Sequence, residues 1–177
     1  MTNREVALSL INVGLRIFPC NPDKTPRIKD WEAKASNSVL QIETWWNGAD
    51  DLLPAIPTEP NRIVALDCDR KNGKDGVAAF QGICAAHSID PSNAFIQETP
   101  STGLHFWFRS DVAYSGQVGK LAPGIDVRSH VNYVIAPGAT LPDGRAYRAV
   151  QGSLDSITPL PEALAALLKR KDTAEIF

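Results

Sequence analysis

Asp67 and Asp69 stand one residue apart at the polar end of the apolar run Ile63-Val64-Ala65-Leu66. A continuous run of this kind predicts an interior strand. Side chains along a strand alternate between faces, so both aspartates project to one side and Cys68 to the other. Two carboxylates on one face repel unless something positive lies between them. Hard divalent cations such as Mg²⁺ take carboxylate oxygen and complete their shell with water and substrate phosphates. The spacing therefore suits an ion bridging protein and nucleotide. A solvated pair at a strand end is the alternative, and D-x-D also occurs in sugar-nucleotide transferases and metal nucleases. On these two residues alone all of these stay open.

Two later segments carry chemistry of the same kind. Thr99-Pro100-Ser101-Thr102-Gly103 is a small-residue turn that leads into Leu104-His105-Phe106-Trp107-Phe108-Arg109. Alternation puts Leu104, Phe106 and Phe108 on one face and His105, Trp107 and Arg109 on the other. A histidine just after such a turn can donate to a phosphate while backbone N–H groups close around it; a hydrogen-bonded structural histidine is the competing reading. Trp107 shares the histidine's face and is the tryptophan best placed to line a site. In Gly124-Ile125-Asp126-Val127-Arg128, Asp126 and Arg128 again share a face. They form either a surface ion pair of little energetic weight or a further metal ligand beside an arginine whose planar fork fits phosphate.

The elements that must hold these residues are legible in outline. Thr2-Asn3-Arg4-Glu5 reads as a capping box opening a helix that stops near Gly14. Leu15 to Phe18 reads as a short strand ended by Pro19. Asn21 to Pro26 is a turn-rich loop carrying Lys24. Ser38-x-x-Gln41 opens a second helix containing Ile42, Trp45 and Trp46. Lys71 to Asp75 is a loop around Gly73, and Asp75 is placed to cap a helix over 76–88. Strands are expected at 94–97, 104–109, 125–128 and 133–135, with a further one at 147–150. Pro161 suits the first turn of a last helix reaching about Lys171. Interleaved strands and helices give an α/β or α+β class with a mixed central sheet. Trp45 or Trp46 is expected to anchor its helix to the core, although Trp31, Trp45 and Trp46 also have the chemistry to stack on bases.

The 177 residues suffice for one good-sized core, and 44% apolar with 21% charged content is ordinary for a globular protein. The net charge of −2 excludes a global electrostatic case for nucleic-acid binding. Such binding needs a local basic patch, or metal ions that offset acidic side chains. Cys20, Cys68 and Cys84 lack any C-x-x-C spacing, which argues for reduced, buried thiols over a zinc or redox motif. There is no apolar run of membrane-spanning length and no signal-peptide layout, so no membrane partner and a cytoplasmic location are expected.

With all three segments in view, the chain resembles the N-terminal domain family of bifunctional DNA primase–polymerases, in the archaeo-eukaryotic primase superfamily. Val64-Ala65-Leu66-Asp67-Cys68-Asp69 matches its hydrophobic strand ending in D-x-D, with Gly73 or Gly76 downstream. The turn and His105 strand match its second motif, and Gly124 to Arg128 its third. Phe18-Pro19, Lys24-x-Pro26, Trp31, Trp45-Trp46 and the stretch from Tyr133 to Gly138 are also similar to the family, so the likeness runs from about Val6 to Pro161. Thr102 replaces one of two glycines common before the histidine strand. Ser129 and Asn132 stand where glycines are common after Arg128.

The resemblance implies an α+β fold in which a catalytic palm of mixed β-sheet with flanking helices joins an N-terminal α/β unit. It implies a single catalytic domain, with an N-terminal unit over 1–60, a metal- and nucleotide-binding palm over 61–160 and a C-terminal helix over 161–177. Asp67, Asp69 and Asp126 would be catalytic and would hold Mg²⁺ or Mn²⁺ in a two-metal site. His105, Arg128, Thr102, Gly103 and Lys24 would bind the nucleotide; for Lys24, an exposed loop position is the competing reading. The implied activity is template-directed transfer from nucleoside triphosphates onto a primer on single-stranded DNA, in replication of a plasmid, phage or mobile element. The sequence holds no helicase P-loop, so a helicase partner would lie elsewhere in a larger parent chain or act in trans. A D-x-D nuclease, a sugar-nucleotide transferase and a nucleotide- or DNA-binding replication module with little catalysis are the alternatives. Because clustered carboxylates repel without metal, replacing Asp67 or Asp126 is expected to leave the protein folded or even to stabilise it.

Overall fold

The computed structural model describes residues 1–170. The elements in chain order are α1 (Asn3–Asn12), β1 (Phe18–Cys20), α2 (Trp31–Lys34), α3 (Val39–Trp46), β2 (Leu53–Pro57), β3 (Ile63–Cys68), β4 (Arg70–Lys71), β5 (Lys74–Asp75), α4 (Gly76–Ala86), β6 (Phe95–Glu98), β7 (Leu104–Arg109), β8 (Gln117–Val118), β9 (Ile125–Arg128), β10 (Tyr133–Ile135), β11 (Arg148–Gln151) and α5 (Glu162–Ala165). The class is α+β, one of the two that the interleaved pattern allows. Among the described residues no helix is long and apolar enough to cross a membrane.

Six strands form the main sheet in the order β11-β6-β7-β3-β9-β8, and β1-β2-β10 form a second one. The central sheet, expected to be mixed, pairs antiparallel at every ladder. The parallel contact among the described residues is the Arg109–Pro159 bridge. All six residues of β3 are buried; its apolar run foretold this for Ile63 to Leu66, and the burial extends through Asp67, which the sequence placed at the polar end. Ile63 and Ala65 face a core shared with α1, α3 and Trp107. Val64, Leu66 and Cys68 face another core, made with Phe80 of α4 and Leu164 of α5. The three cysteines are free and buried.

The caps behave as local chemistry dictates. Thr2 and Glu5 form the reciprocal box at α1, Ser38 accepts from Gln41 N–H at α3, and Asp75 accepts from Ala78 N–H at α4. Trp46 anchors α3, buried and donating from Nε1 to the Leu52 carbonyl at 3.0 Å.

Three expectations needed correction. The first strand does not end at Pro19 but runs through it, and β2, with Pro54 and Pro57, was unanticipated. Pro19 lies opposite Pro54 in the register, and their carbonyls point away from each other, accepting from Arg27 N–H and from Ala136 N–H just past β10. Both missing N–H groups therefore face away from the β1–β2 ladder, which tolerates the two rings. The stretch expected as a loop around Gly73 is a hairpin, β4–β5, whose turn residues Asn72 and Gly73 have φ of 54° and 74°, the left-handed pair that tight hairpins require. The last helix stops at Ala165, well short of Lys171, because Lys169 accepts from Ser115 N–H and Arg170 bridges to Tyr114, which draws the chain out straight. Lys171 and the rest of 171–177 lie outside the described residues.

Candidate active site

Strand register assembles the site. Asp67 on β3 pairs across to His105 on β7 and to Asp126 on β9, and His105 pairs in turn to Gln97 on β6. One polar row thus crosses four neighbouring strands. It occupies the face that carries the Ala65 and Trp107 core, at the end where that core gives way to solvent. Asp69 follows just beyond β3. Its N–H donates to the Gly124 carbonyl at 2.8 Å and its carbonyl accepts from Gly76 N–H at 2.7 Å. A Cβ on Gly76 would stand 2.7 Å from the Gly124 carbonyl carbon and 3.0 Å from Asp69 N. Glycine is required there so that the chain can fold Asp69 back beside Asp126.

Asp67, Asp69 and Asp126 each offer an oxygen within 4.8 Å of the others. They line a cleft of about 300 Å³. A set of close, all-oxygen, acidic donors open to solvent on one side fits a hard divalent cation that keeps water or substrate oxygens in its shell.

The charges of the cluster are balanced unevenly. Asp67 Oδ1 lies 3.1 Å from His105 Nε2, and Oδ2 lies 2.8 Å from Arg128 Nη2. Arg128 Nε also donates to Oδ2, at 2.9 Å. Burial works to raise the Asp67 carboxyl, but the His105 hydrogen bond and the Arg128 charge outweigh it and hold the group well below the usual carboxylate range. Asp126 is pushed the other way, by burial first and by the Asp67 charge second. Asp69 has Lys71 Nζ at 3.5 Å.

Gln97 sets the histidine's tautomer. Its Nε2 donates to the Ile135 carbonyl at 2.9 Å and lies 2.9 Å from His105 Nδ1. An amide nitrogen only donates, so Nδ1 accepts, and Nε2 carries the proton that faces Asp67 and the cleft.

The other expected site residues divide. Lys24, His105 and Arg128 line the cleft together with the aspartates. Thr102 and Gly103 stand outside the lining; from their turn it is Thr99 and Ser101 that face the cleft. Thr102 takes a φ of 66°, in the left-handed region that favours glycine. Gly103 leaves no room for a side chain, since a Cβ would stand 2.7 Å from the Cys68 carbonyl oxygen. Trp107 does not line the site: it is fully buried against Phe95, ring centroids 4.8 Å apart. Trp31 stacks on Phe18 at 4.9 Å. Asn132, at a common glycine position, accepts from Arg128 Nη1 at 3.3 Å through Oδ1.

Sequence reasoning missed Gln97, Lys71, Thr99, Ser101, Tyr133 and Tyr147. Gln97 carried a usable signal, a polar residue at an inward position of an alternating strand. Tyr147 carried none: it was expected to open a strand, and it lies just before β11.

Residues 7–163 match the family described as bifunctional DNA primase/polymerase, N-terminal, and the chain belongs to that family. Membership implies a DNA primase/polymerase type of activity on nucleotide and DNA substrates, with dependence on metal. A comparison with curated proteins finds no match.

Proposed function

We propose that the chain is a DNA primase–polymerase domain that adds nucleotides from nucleoside triphosphates to a primer 3′-hydroxyl on a DNA template. The observation that carries this reading is the set of three carboxylate oxygens within 4.8 Å of one another in a cleft also lined by Lys24, Lys71 and Arg128. Asp67, Asp69 and Asp126 would hold Mg²⁺ or Mn²⁺. Ions bound there supply charge stabilisation for the attacking and leaving oxygens of an in-line displacement at phosphorus.

The chain's own residues bind and orient the nucleotide. His105 Nε2–H and the Arg128 Nε–Nη2 edge, which hold Asp67 in this structure, would turn to phosphate oxygens once Asp67 takes a cation. Asn132 and the Tyr133 carbonyl hold Arg128 Nη1 and so keep the guanidinium in place. Thr99 and Ser101 offer hydroxyls from the turn, and Lys24 adds a charge from the N-terminal unit. That unit and the palm act as one catalytic domain, because the cleft takes residues from both.

Primer extension with a labelled primer–template, nucleoside triphosphates and Mn²⁺ tests the reading. The wild-type chain lengthens the primer, and Asp126→Ala abolishes extension while retaining the native circular dichroism spectrum. His105→Ala raises the nucleotide KM. A fully active Asp126→Ala variant refutes the three-carboxylate site, an unchanged KM in His105→Ala removes its nucleotide role, and primer shortening without extension marks a nuclease.

A further inference from the structure

Among the described residues, Lys24 is the sole contribution of the first sixty to the cleft lining. Its backbone is left-handed, with φ of 72°. For a residue with a side chain this conformation costs energy and persists only where the surroundings impose it. Part of the imposition is local: Lys24 N–H donates to the Asn21 carbonyl at 2.8 Å. The rest comes from far along the chain, where the Tyr133 hydroxyl donates to the Lys24 carbonyl at 2.7 Å. The Tyr133 ring itself packs edge-on against both Phe18 at 5.3 Å and Trp31 at 5.2 Å, so its hydroxyl has little freedom to swing away.

The outcome is a lysine whose Nζ sits 5.5 Å from the centre of the Tyr147 ring. Burial lowers its affinity for the proton, and Lys71, Arg145 and Arg128 push in the same direction while Asp67 pulls against them. Cations gathered against their mutual repulsion are the electrostatic mark of a site for a polyanion.

We infer that Tyr133 is a positioning residue whose hydroxyl holds the Lys24 backbone and so aims the Lys24 ammonium at the polyphosphate tail of a nucleotide in the cleft. The inference rests on the nucleotide-binding reading above. Tyr133→Phe deletes the hydroxyl and keeps the ring against Phe18 and Trp31, so it releases the Lys24 backbone without emptying the aromatic cluster. A rival role is direct contact of the Tyr133 hydroxyl with the nucleotide. The two are separable because a residue acting only through Lys24 loses its effect once Lys24 is gone.

The experiment uses the full chain as wild type, Tyr133→Phe, Lys24→Met and the double variant. Titration with a nucleoside triphosphate, and separately with the corresponding monophosphate, in Mn²⁺ gives the affinities; primer extension gives KM and kcat. Tyr133→Phe is expected to weaken triphosphate binding about 5-fold, the scale of one hydrogen bond. The loss falls on KM, and monophosphate binding is spared. Lys24→Met weakens the triphosphate at least as much, and the double variant is no worse than Lys24→Met alone. Effects that multiply in the double variant, a loss shared equally by the monophosphate, or a Tyr133→Phe affinity equal to wild type each overturn the inference while the wild-type chain still binds triphosphate. A wild-type chain that binds no triphosphate removes the functional reading and the inference together.

Discussion

Asp126→Asn should stabilise the metal-free protein even though it destroys the proposed metal site. The Asp67 and Asp126 oxygens lie within 4.8 Å of each other. At 4.8 Å, two like charges repel by ~0.9 kcal/mol at the dielectric of water and ~3.5 kcal/mol at an effective value of 20. Arg128 offsets part of this, since its charge also favours the ionised form of Asp126. The Gly119 N–H bond to Asp126 Oδ1, at 3.2 Å, survives because asparagine retains an acceptor there. A net gain of about 1 kcal/mol remains, which for a domain of this size corresponds to a rise in Tm of roughly 2–4 °C.

The assay is thermal unfolding in EDTA at pH 7. Asp126 has a raised carboxyl, so its charge destabilises the fold only where the group is ionised. The advantage of the variant therefore shrinks as pH falls into the carboxyl range, and it also shrinks with added salt. In Mn²⁺ the order reverses: saturation to about 100 times Kd stabilises a binding protein by about 2.7 kcal/mol, and the variant forfeits most of that. An Asp126→Asn protein that melts below wild type in EDTA refutes the reasoning, because it would mean that Asp126 gains more from Arg128 than it loses to Asp67.

Asp67→Asn has the opposite sign: it leaves Arg128 and His105 without their carboxylate, and breaking a buried pair from one side costs about 3–5 kcal/mol, read as a lower denaturation midpoint. The Asp67 carboxyl is depressed in the fold, so its stabilisation is full above the unfolded-state pKa of about 3.9 and is lost as pH drops below it; the acid limb of the stability profile should flatten in the variant. Gly76→Ala forces a methyl against the Gly124 and Asp69 backbone, which cannot retreat as a side chain would. A loss of more than about 2 kcal/mol is expected, together with failure of Mn²⁺ to raise Tm, and a variant with wild-type metal response contradicts the close approach.

These signs show where residue-level reasoning needed the fold. Asp67 and Asp69 were legible from their spacing as a repelling pair, Asp126 joined them through the family resemblance, and for Asp126 the geometry supports the expectation that replacement is tolerated. For Asp67 it does not, because Arg128 and His105 occupy its oxygens. The difference lies in register: Asp67 is on the middle strand of the row, with His105 on one side and Asp126 on the other, whereas Asp126 pairs outward to Val118.

The strands that carry motifs were readable for a related reason. β3, β7 and β9 announce themselves by apolar alternation or runs next to polar ends, a property of a few consecutive residues. β2 was hidden by Pro54 and Pro57; that Pro54 costs the β1–β2 ladder nothing follows only from the register that sets it opposite Pro19. The short α5 is also a tertiary result, set by pairing of Lys169 and Arg170 with the segment at Tyr114 and Ser115.

What the sequence determined by itself was the chemistry of the site and the side of each strand on which it lies. Residue type sets which groups can hold a cation or a phosphate, and the two-residue period of a strand sets their common face. Tertiary structure decided which of them meet. Gly76 and Gly124 bring Asp69 back to Asp126, and Gln97 sets the proton on His105 from a neighbouring strand. Tyr133 reaches across 109 residues to hold Lys24 over the cleft. Contacts between residues so far apart depend on strand order and register, which no local pattern encodes.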